Sequence, residues 1–252
     1  MLDASSTYAH VEAAHTGTAI VPVGATEQHG PHLPLSVDYL LAEAVARGVG
    51  QQLDAFVLPA LPFGNSQAHV GFRGSMSLRY ETLNSVIKDL SRCLFDQGFL
   101  RVAVLNMHGG NVGLVTAVRE VNAGGRDGKA IVVNPLILAS SRLSAIIETL
   151  AEERHAGEYE TSLMMHLHPH LVVGEASDCV PSAPQEYFDV LPLRDASPGG
   201  VWGCPSRASA QKGALALSVL VEVTSQHIVD VFARLEELRK RGASGPLSSG
   251  SA

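Results

Sequence analysis

Short apolar runs, each closed by a polar, glycine- or proline-bearing loop and followed by residues at helical spacing, recur along the first half of this chain. Few folds accommodate that pattern. The run TAIVPVG (18–24) is apolar, short and closed by Gly24, which reads as a buried strand. Residues 25–37, ATEQHGPHLPLSV, mix prolines and a glycine with polar groups and read as a loop. DYLLAEAVARGVGQQL then predicts a helix over 38–52, with Asp38 a good N-cap type. The alternation repeats with a strand at 55–61, a long loop PFGNSQAHVGFRGS and an amphipathic helix over 80–98. The strand LRVAVLNM runs into HGGN (108–111), followed by a helix VGLVTAVREVNA and a strand KAIVVNPLI. Parallel neighbours need crossover connections, so the expected fold class is α/β, with a mostly parallel sheet covered on both faces.

Two further helices are expected at 140–153 and 157–168, then an extended proline-, serine- and glycine-rich excursion over 171–205 and a last helix near 206–241. At 252 residues a single domain over 1–242 is the expectation, with 243–252 having the composition of a disordered tail. Charged residues make up 17% and aromatics only 5%, which implies an aliphatic core and a sparsely charged surface; a buried homo-oligomer interface is one explanation. The net charge of -7 argues against nucleic acid and anionic membranes, which need clustered Lys and Arg. The N-terminus has no basic start followed by an apolar run, and no uninterrupted apolar stretch reaches about 20 residues, so a soluble chain with no membrane partner is expected. Cys93, Cys179 and Cys204 are odd in number and widely spaced; neither a disulfide framework nor a thiolate zinc site is suggested, and a reducing cytoplasm fits. Cys93 falls on a predicted helix face and reads as a core residue.

Open α/β sheets bind ligands beyond the carboxyl ends of their strands. Three polar clusters fall there: Glu27, His29, His32 and Asp38; Asn106, His108 and Asn111; and His155, Glu158 and Glu160 in a connection between helices. Carboxylates and imidazoles ligate zinc, iron or manganese, and a carboxylate such as Asp38 would bridge two metals about 3.5–4 Å apart. A single histidine among the eleven is more often hydrogen-bonded than ligating, and an Asp at a helix start is ordinarily a cap. The argument for metal is coincidence: acids and imidazoles gather after two separate strands. His166, His168 and His170 alternate near a helix end and point in different directions. His69 reaches the site or is a hydrogen-bonded loop residue, and Trp202 lines a pocket or stabilises the excursion; the sequence leaves both pairs open. HGGN lacks the Lys and Ser/Thr of a phosphate-binding loop.

The segment GATEQHGPHLPLSVD (24–38) resembles the signature of the creatininase family of amidohydrolases. NMHGGN (106–111), HAGEYETSLM (155–164), FGNSQAHVGFRGSMSL (63–78) and GVWGCPSRASAQKG (200–213) are similar to its other motifs. The resemblance implies a three-layer α/β/α fold, commonly a hexamer, holding one or two divalent ions (Zn, Fe(II) or Mn) and hydrolysing a C–N bond in a small-molecule cyclic or linear amide, a formamide or a modified peptide. By motif position it puts Glu27, His29, Asp38, His108 and Glu160 on metal ligands, with Asp38 bridging, and His155 on a proton-transfer group that Glu160 assists. Gly110 departs from creatininase proper, which has a metal-binding glutamate there, and Ala68 and Phe72–Ser75 depart from an EH…FPGT pattern. Arg73, inside that altered stretch, is expected to contact a substrate carboxylate or phosphate, with His69, Asn111 and Trp202 completing the substrate-binding set. The competing expectation is a metal-binding family member without catalysis, acting as a subunit or scaffold.

Overall fold

Every residue of the strand β2 (Thr18–Val23) is buried, and so are four of the six in β4 (Arg101–Asn106), as strands covered on both faces must be. The computed structural model describes residues 1–243. Its sheet also contains β1 (Leu2–Asp3), β3 (Phe56–Val57) and β5 (Lys129–Val133), in the order β1-β3-β2-β4-β5 with each neighbouring pair parallel.

Strand alternation sorts the side chains into two cores. Ile20, Ala103 and Leu105 point to one face, where they meet Leu41 and Val45 of α2 (Val37–Leu53), Ala139 of α5 (Pro135–Leu143), Leu163 of α6 (Glu158–Leu167) and Leu220 of α8 (Ala210–Ala243). Ala19, Val21, Val102 and Val104 point to the other, against Leu83 and Ile87 of α3 (Tyr80–Asp96) and Ala117 of α4 (Leu114–Ala123). This is the expected three-layer α/β/α arrangement. Among the described helices only α8 is long and apolar enough to cross a membrane. It instead packs along α2, α5 and α6, with Ala216, Leu220, Ile228 and Phe232 in the core.

Several boundaries differ from the expectations, each for a local reason. Asp38 does not cap α2: the cap position is Ser36, and Asp38 lies inside the first turn, buried. The strand expected over 55–61 is reduced to Phe56–Val57 plus a single bridge between Val23 and Leu61, because Pro59 has no N–H for the ladder. β5 stops at Val133, since Pro135 occupies the start of α5, where its missing N–H costs nothing. That helix ends at Leu143, so the helix expected over 140–153 is mostly turns. α8 starts at Ala210 rather than 206, after a 3-10 turn at Pro205–Arg207. β1 and α1 (Tyr8–Ala14) were not anticipated. The excursion has little regular structure, as expected: 3-10 turns, the four-residue α7 (Leu193–Ala196) and isolated bridges at Cys179–Gly203 and His155–Trp202. Cys93 is exposed, not a core residue, because it lies on the outer face of α3. Apart from Ala243, the tail expected at 243–252 lies outside the described residues.

Leu105 is fully buried on β4, the strand that leads into His108. Leu105→Ala should lower unfolding stability by about 2–5 kcal/mol in denaturant titration, and a loss below about 1 kcal/mol would show that the layers close over the gap.

Candidate metal centre

Three segments converge at the carboxyl edge of the sheet. The loop after β2 delivers Glu27, Gln28 and His29, and the first turn of α2 delivers Asp38. The turn after β4 delivers His108: the Asn106 amide donates to the His108 carbonyl at 2.9 Å and to the Asn134 side chain at 2.9 Å. The connection before α6 delivers His155, and the first turn of α6 delivers Glu160. There Ala156 takes a positive φ of 53° and its N–H donates to Glu160 Oε2 at 2.6 Å, while the Glu153 carboxylate accepts from the N–H groups of Glu158 and Tyr159. Glu153 thus satisfies orphan donors at the start of α6 from outside the helix.

Asp38 is the centre of the cluster. Its Oδ1 lies 3.4 Å from His29 Nε2 and its Oδ2 lies 3.0 Å from His108 Nδ1. His29 Nε2 is also 3.8 Å from Glu160 Oε2, and His108 Nε2 is 3.3 Å from Glu27 Oε2. Glu27, Asp38 and His108 each offer a ligand atom within 4.8 Å of the others, and so do His29, Asp38 and Glu160. A third such group, Glu27, His29 and His155, overlaps both.

Backbone carbonyls set the direction of each imidazole. His29 Nδ1 lies 3.1 Å from the Glu27 carbonyl, so Nδ1–H donates and Nε2 is the nitrogen turned toward Asp38 and Glu160. His108 is held the other way round: Nε2–H donates to the Asn65 carbonyl at 2.8 Å, so Nδ1 is the nitrogen that faces Asp38. His155 Nε2–H donates to the Gln28 carbonyl at 2.6 Å, so its Nδ1 is also unprotonated. Metal-ligating histidines are oriented by such outer contacts.

The electrostatics ask for a cation. Burial opposes ionisation of Glu27 and Asp38, yet the facing imidazoles hold both carboxyls below their ordinary range. Burial works against charge on His29 too, but Asp38 and Glu160 raise it to about 10; Glu27 and Asp38 likewise raise His108 to about 9. Burial pushes Glu160 up to about 7 against the pull of His29. It also holds His155 well below its usual value, helped by His29 and His69, so this imidazole is neutral. Glu27 Oε2, His29 Nε2 and Asp38 Oδ2 are buried without any hydrogen-bond partner. An ion held by Glu27, Asp38 and His108 would satisfy the two oxygens and one held by His29, Asp38 and Glu160 the nitrogen, and N and O donors of this kind suit zinc, iron(II) or manganese.

The other residues singled out in the sequence sort differently. His69 is buried, with Nε2 3.0 Å from Glu27 Oε1, inside the network rather than at its edge. Asn111 is buried and committed to protein: it accepts from Asn65 N–H at 2.9 Å and donates to the Asn106 side chain at 3.0 Å and the Gly24 carbonyl at 3.4 Å. It ties loops together and has little left for a substrate. Trp202 is also buried, stacked on Phe188 at 5.1 Å, and its backbone pairs with His155 in both directions, which favours the stabilising reading. Arg73 is exposed. His32 pairs with Thr161 at 2.9 Å, and Glu158 turns away from Glu160 to Lys212 and Thr149. His166 and His170 are exposed and belong to no ligand group. Sequence reasoning missed Gln28, Asn65 and Glu153. Of these only Gln28 left a signal, standing between two candidate ligands.

Gly110 is explained by close approach. A Cβ there would lie 2.2 Å from the Asn65 carbonyl oxygen and 2.5 Å from His108 Nε2. The space that a residue-110 side chain would need is filled by the contact that orients His108. The first ligand group therefore consists of Glu27, Asp38 and His108 without a fourth carboxylate from HGGN.

These features define a three-layer α/β protein with a buried cluster of carboxylates and imidazoles able to hold divalent metal. A sequence model of the creatinine amidohydrolase family matches residues 4–228, and the chain belongs to this creatininase family. It is 35% identical over 234 residues to creatinine amidohydrolase of Pseudomonas putida, covering 84% of this chain and 89% of that protein. It is 32% identical over 222 residues to the mycofactocin precursor peptide peptidase of Mycobacterium ulcerans strain Agy99, covering 81% of each. A solved structure described as creatininase Mn superposes with a TM-score of 0.76 at 30% identity, covering 92% of this chain and 98% of its own.

Two outcomes follow from this geometry. Gly110→Ala should displace the Asn65 carbonyl or the His108 ring and weaken zinc or manganese binding by about 10–100-fold in chelator competition; unchanged affinity would mean the two neighbours move freely. Ligation needs His29 and His108 unprotonated, and both keep their protons well above neutrality. Metal uptake at about pH 7 should therefore release protons, and affinity should rise with pH up to about 10; an affinity that is flat from about pH 6 to about pH 9 would contradict the ligand set.

Proposed function

We propose that this chain is a metal-dependent amidohydrolase that cleaves a C–N bond in a formamide, lactam or modified peptide. The observation that carries the reading is Asp38, whose two oxygens face two oppositely oriented imidazoles. Glu27 and His108 would hold one ion with Asp38, and His29 and Glu160 a second. When bound, such ions supply Lewis acidity toward an amide carbonyl and lower the pKa of water toward about 7. Burial of Glu27, Asp38, His29 and His108 keeps bulk solvent from the donors and strengthens their pull on charge. His155 is neutral, and its bare Nδ1 lies 3.7 Å from Glu27 Oε1, so it accepts the proton of the attacking water and returns it to the leaving nitrogen.

The closed space at Gly110 separates this chain from a creatininase with a glutamate in that place, which supports a formamide or a peptide over creatinine. The similarity to a peptide peptidase agrees. Exposed Arg73 remains the candidate for a substrate carboxylate or phosphate. Exposed apolar side chains such as Ile137, Leu215, Val229 and Leu238 support a homo-oligomer. The acidic net charge supports a small-molecule partner over nucleic acid or membrane, and free Cys93, Cys179 and Cys204 support a cytoplasmic setting.

Anaerobically purified protein, assayed for metals and screened against lactams, N-formyl compounds and short peptides, tests the reading. Turnover of one class is expected. A metal-loaded chain inert toward all three would instead favour the scaffold role. Glu27→Ala and His108→Ala should each abolish hydrolysis and lower metal content, whereas His155→Ala should keep the metal and lower kcat by about 10²–10⁴-fold. Retained turnover in Glu27→Ala or His108→Ala, or an unchanged kcat in His155→Ala, would refute these roles.

A further inference from the structure

Gln28 lies between two ligand candidates and is buried, with its backbone N–H donating to Ser75 Oγ at 3.0 Å. Its side-chain Oε1 accepts the Gly30 N–H at 2.9 Å, which identifies the other amide atom as the nitrogen. That Nε2 lies 3.1 Å from His69 Nδ1. An amide nitrogen only donates, so His69 Nδ1 must accept, and the proton of the neutral ring sits on Nε2. His69 Nε2–H then points at Glu27 Oε1, 3.0 Å away. Oε1 is thereby occupied, while Oε2 is the buried oxygen with no hydrogen-bond partner.

We propose that Gln28 is a positioning residue for metal binding: its amide fixes the His69 tautomer, and His69 in turn ties one oxygen of Glu27 so that only Oε2 is presented to a divalent cation. The inference rests on the metal-site reading above. The backbone of the same residue acts in parallel, since the Gln28 carbonyl accepts His155 Nε2–H and leaves that ring's Nδ1 bare. One residue therefore sets the proton positions of two imidazoles whose ring centres lie 4.4 Å apart, tilted by 55°.

The excursion is shaped to permit this. Gly200 has a positive φ of 74°, and a Cβ there would lie 1.9 Å from Gln28 Oε1. The glycine that opens the GVWG stretch leaves room for the glutamine amide, so a segment with almost no regular structure controls the side-chain position of a residue from the first motif.

The test uses the full chain with zinc as the probe. Nitrogen-15 NMR of histidine-labelled protein, with His69→Gln providing the assignment, should show His69 protonated on Nε2 and bare on Nδ1 in the zinc-loaded wild type. Gln28→Leu should lose that single signature and bind zinc about 10–100-fold more weakly in chelator competition. Gln28→Glu keeps the shape and the Gly30 contact but cannot donate, so it should place a proton on His69 Nδ1. A clamp that acts by shape alone would leave the Gln28→Glu spectrum as in wild type and overturn the proposal. So would a zinc-loaded wild type with His69 protonated on Nδ1, a reading that does not depend on either variant folding. A wild-type chain that takes up no zinc would remove the metal-site reading itself, an outcome distinct from the other two.

Discussion

The approach of Asp38 to His29 and His108 is the contact around which the rest of the site is arranged. A buried carboxylate facing two lone pairs is unfavourable unless protons or a cation intervene. The protein's own groups answer by holding protons on both imidazoles far above the usual histidine range. A divalent ion answers the same demand more completely, because it also satisfies Glu27 Oε2, which has no hydrogen-bond partner. Metal affinity and proton uptake are thus two responses to one concentration of buried negative charge.

Holding that arrangement requires carbonyls as much as ligands. The Glu27, Asn65 and Gln28 carbonyls each fix which nitrogen of a histidine carries its proton. They come from irregular segments, whose backbone groups are not consumed by helix or sheet ladders and remain free to point inward. The parallel sheet supplies the fixed frame: β2 and β4 are hydrogen-bonded neighbours, so the loops that follow them emerge side by side.

The departures from the family pattern acquire physical content in this setting. Gly110 is a consequence of the Asn65 carbonyl lying where a side chain would go, so the loss of a glutamate there is coupled to the loop that orients His108. The altered stretch around Ala68 and Arg73 keeps His69 on Glu27 while leaving Arg73 exposed.

The sequence by itself determined the layered fold and the chemistry. Apolar runs such as TAIVPVG and LRVAVLN can only be strands covered on both faces, and acids and imidazoles in the loops beyond them are metal donors wherever such loops meet. Motif likeness singled out Glu27, His29, Asp38, His108 and Glu160 as candidate ligands that the fold brings together. It did not reveal the short extent of β3, the early start of α5 or the committed amide of Asn111, because proline geometry and long-range hydrogen bonds outweigh local apolar pattern. Nor did it show which oxygen of Glu27 is free, or that His69, Gln28 and Gly200 decide it. Those groups lie in separate loops, and only the folded chain brings them within the few ångströms over which a hydrogen bond fixes a proton.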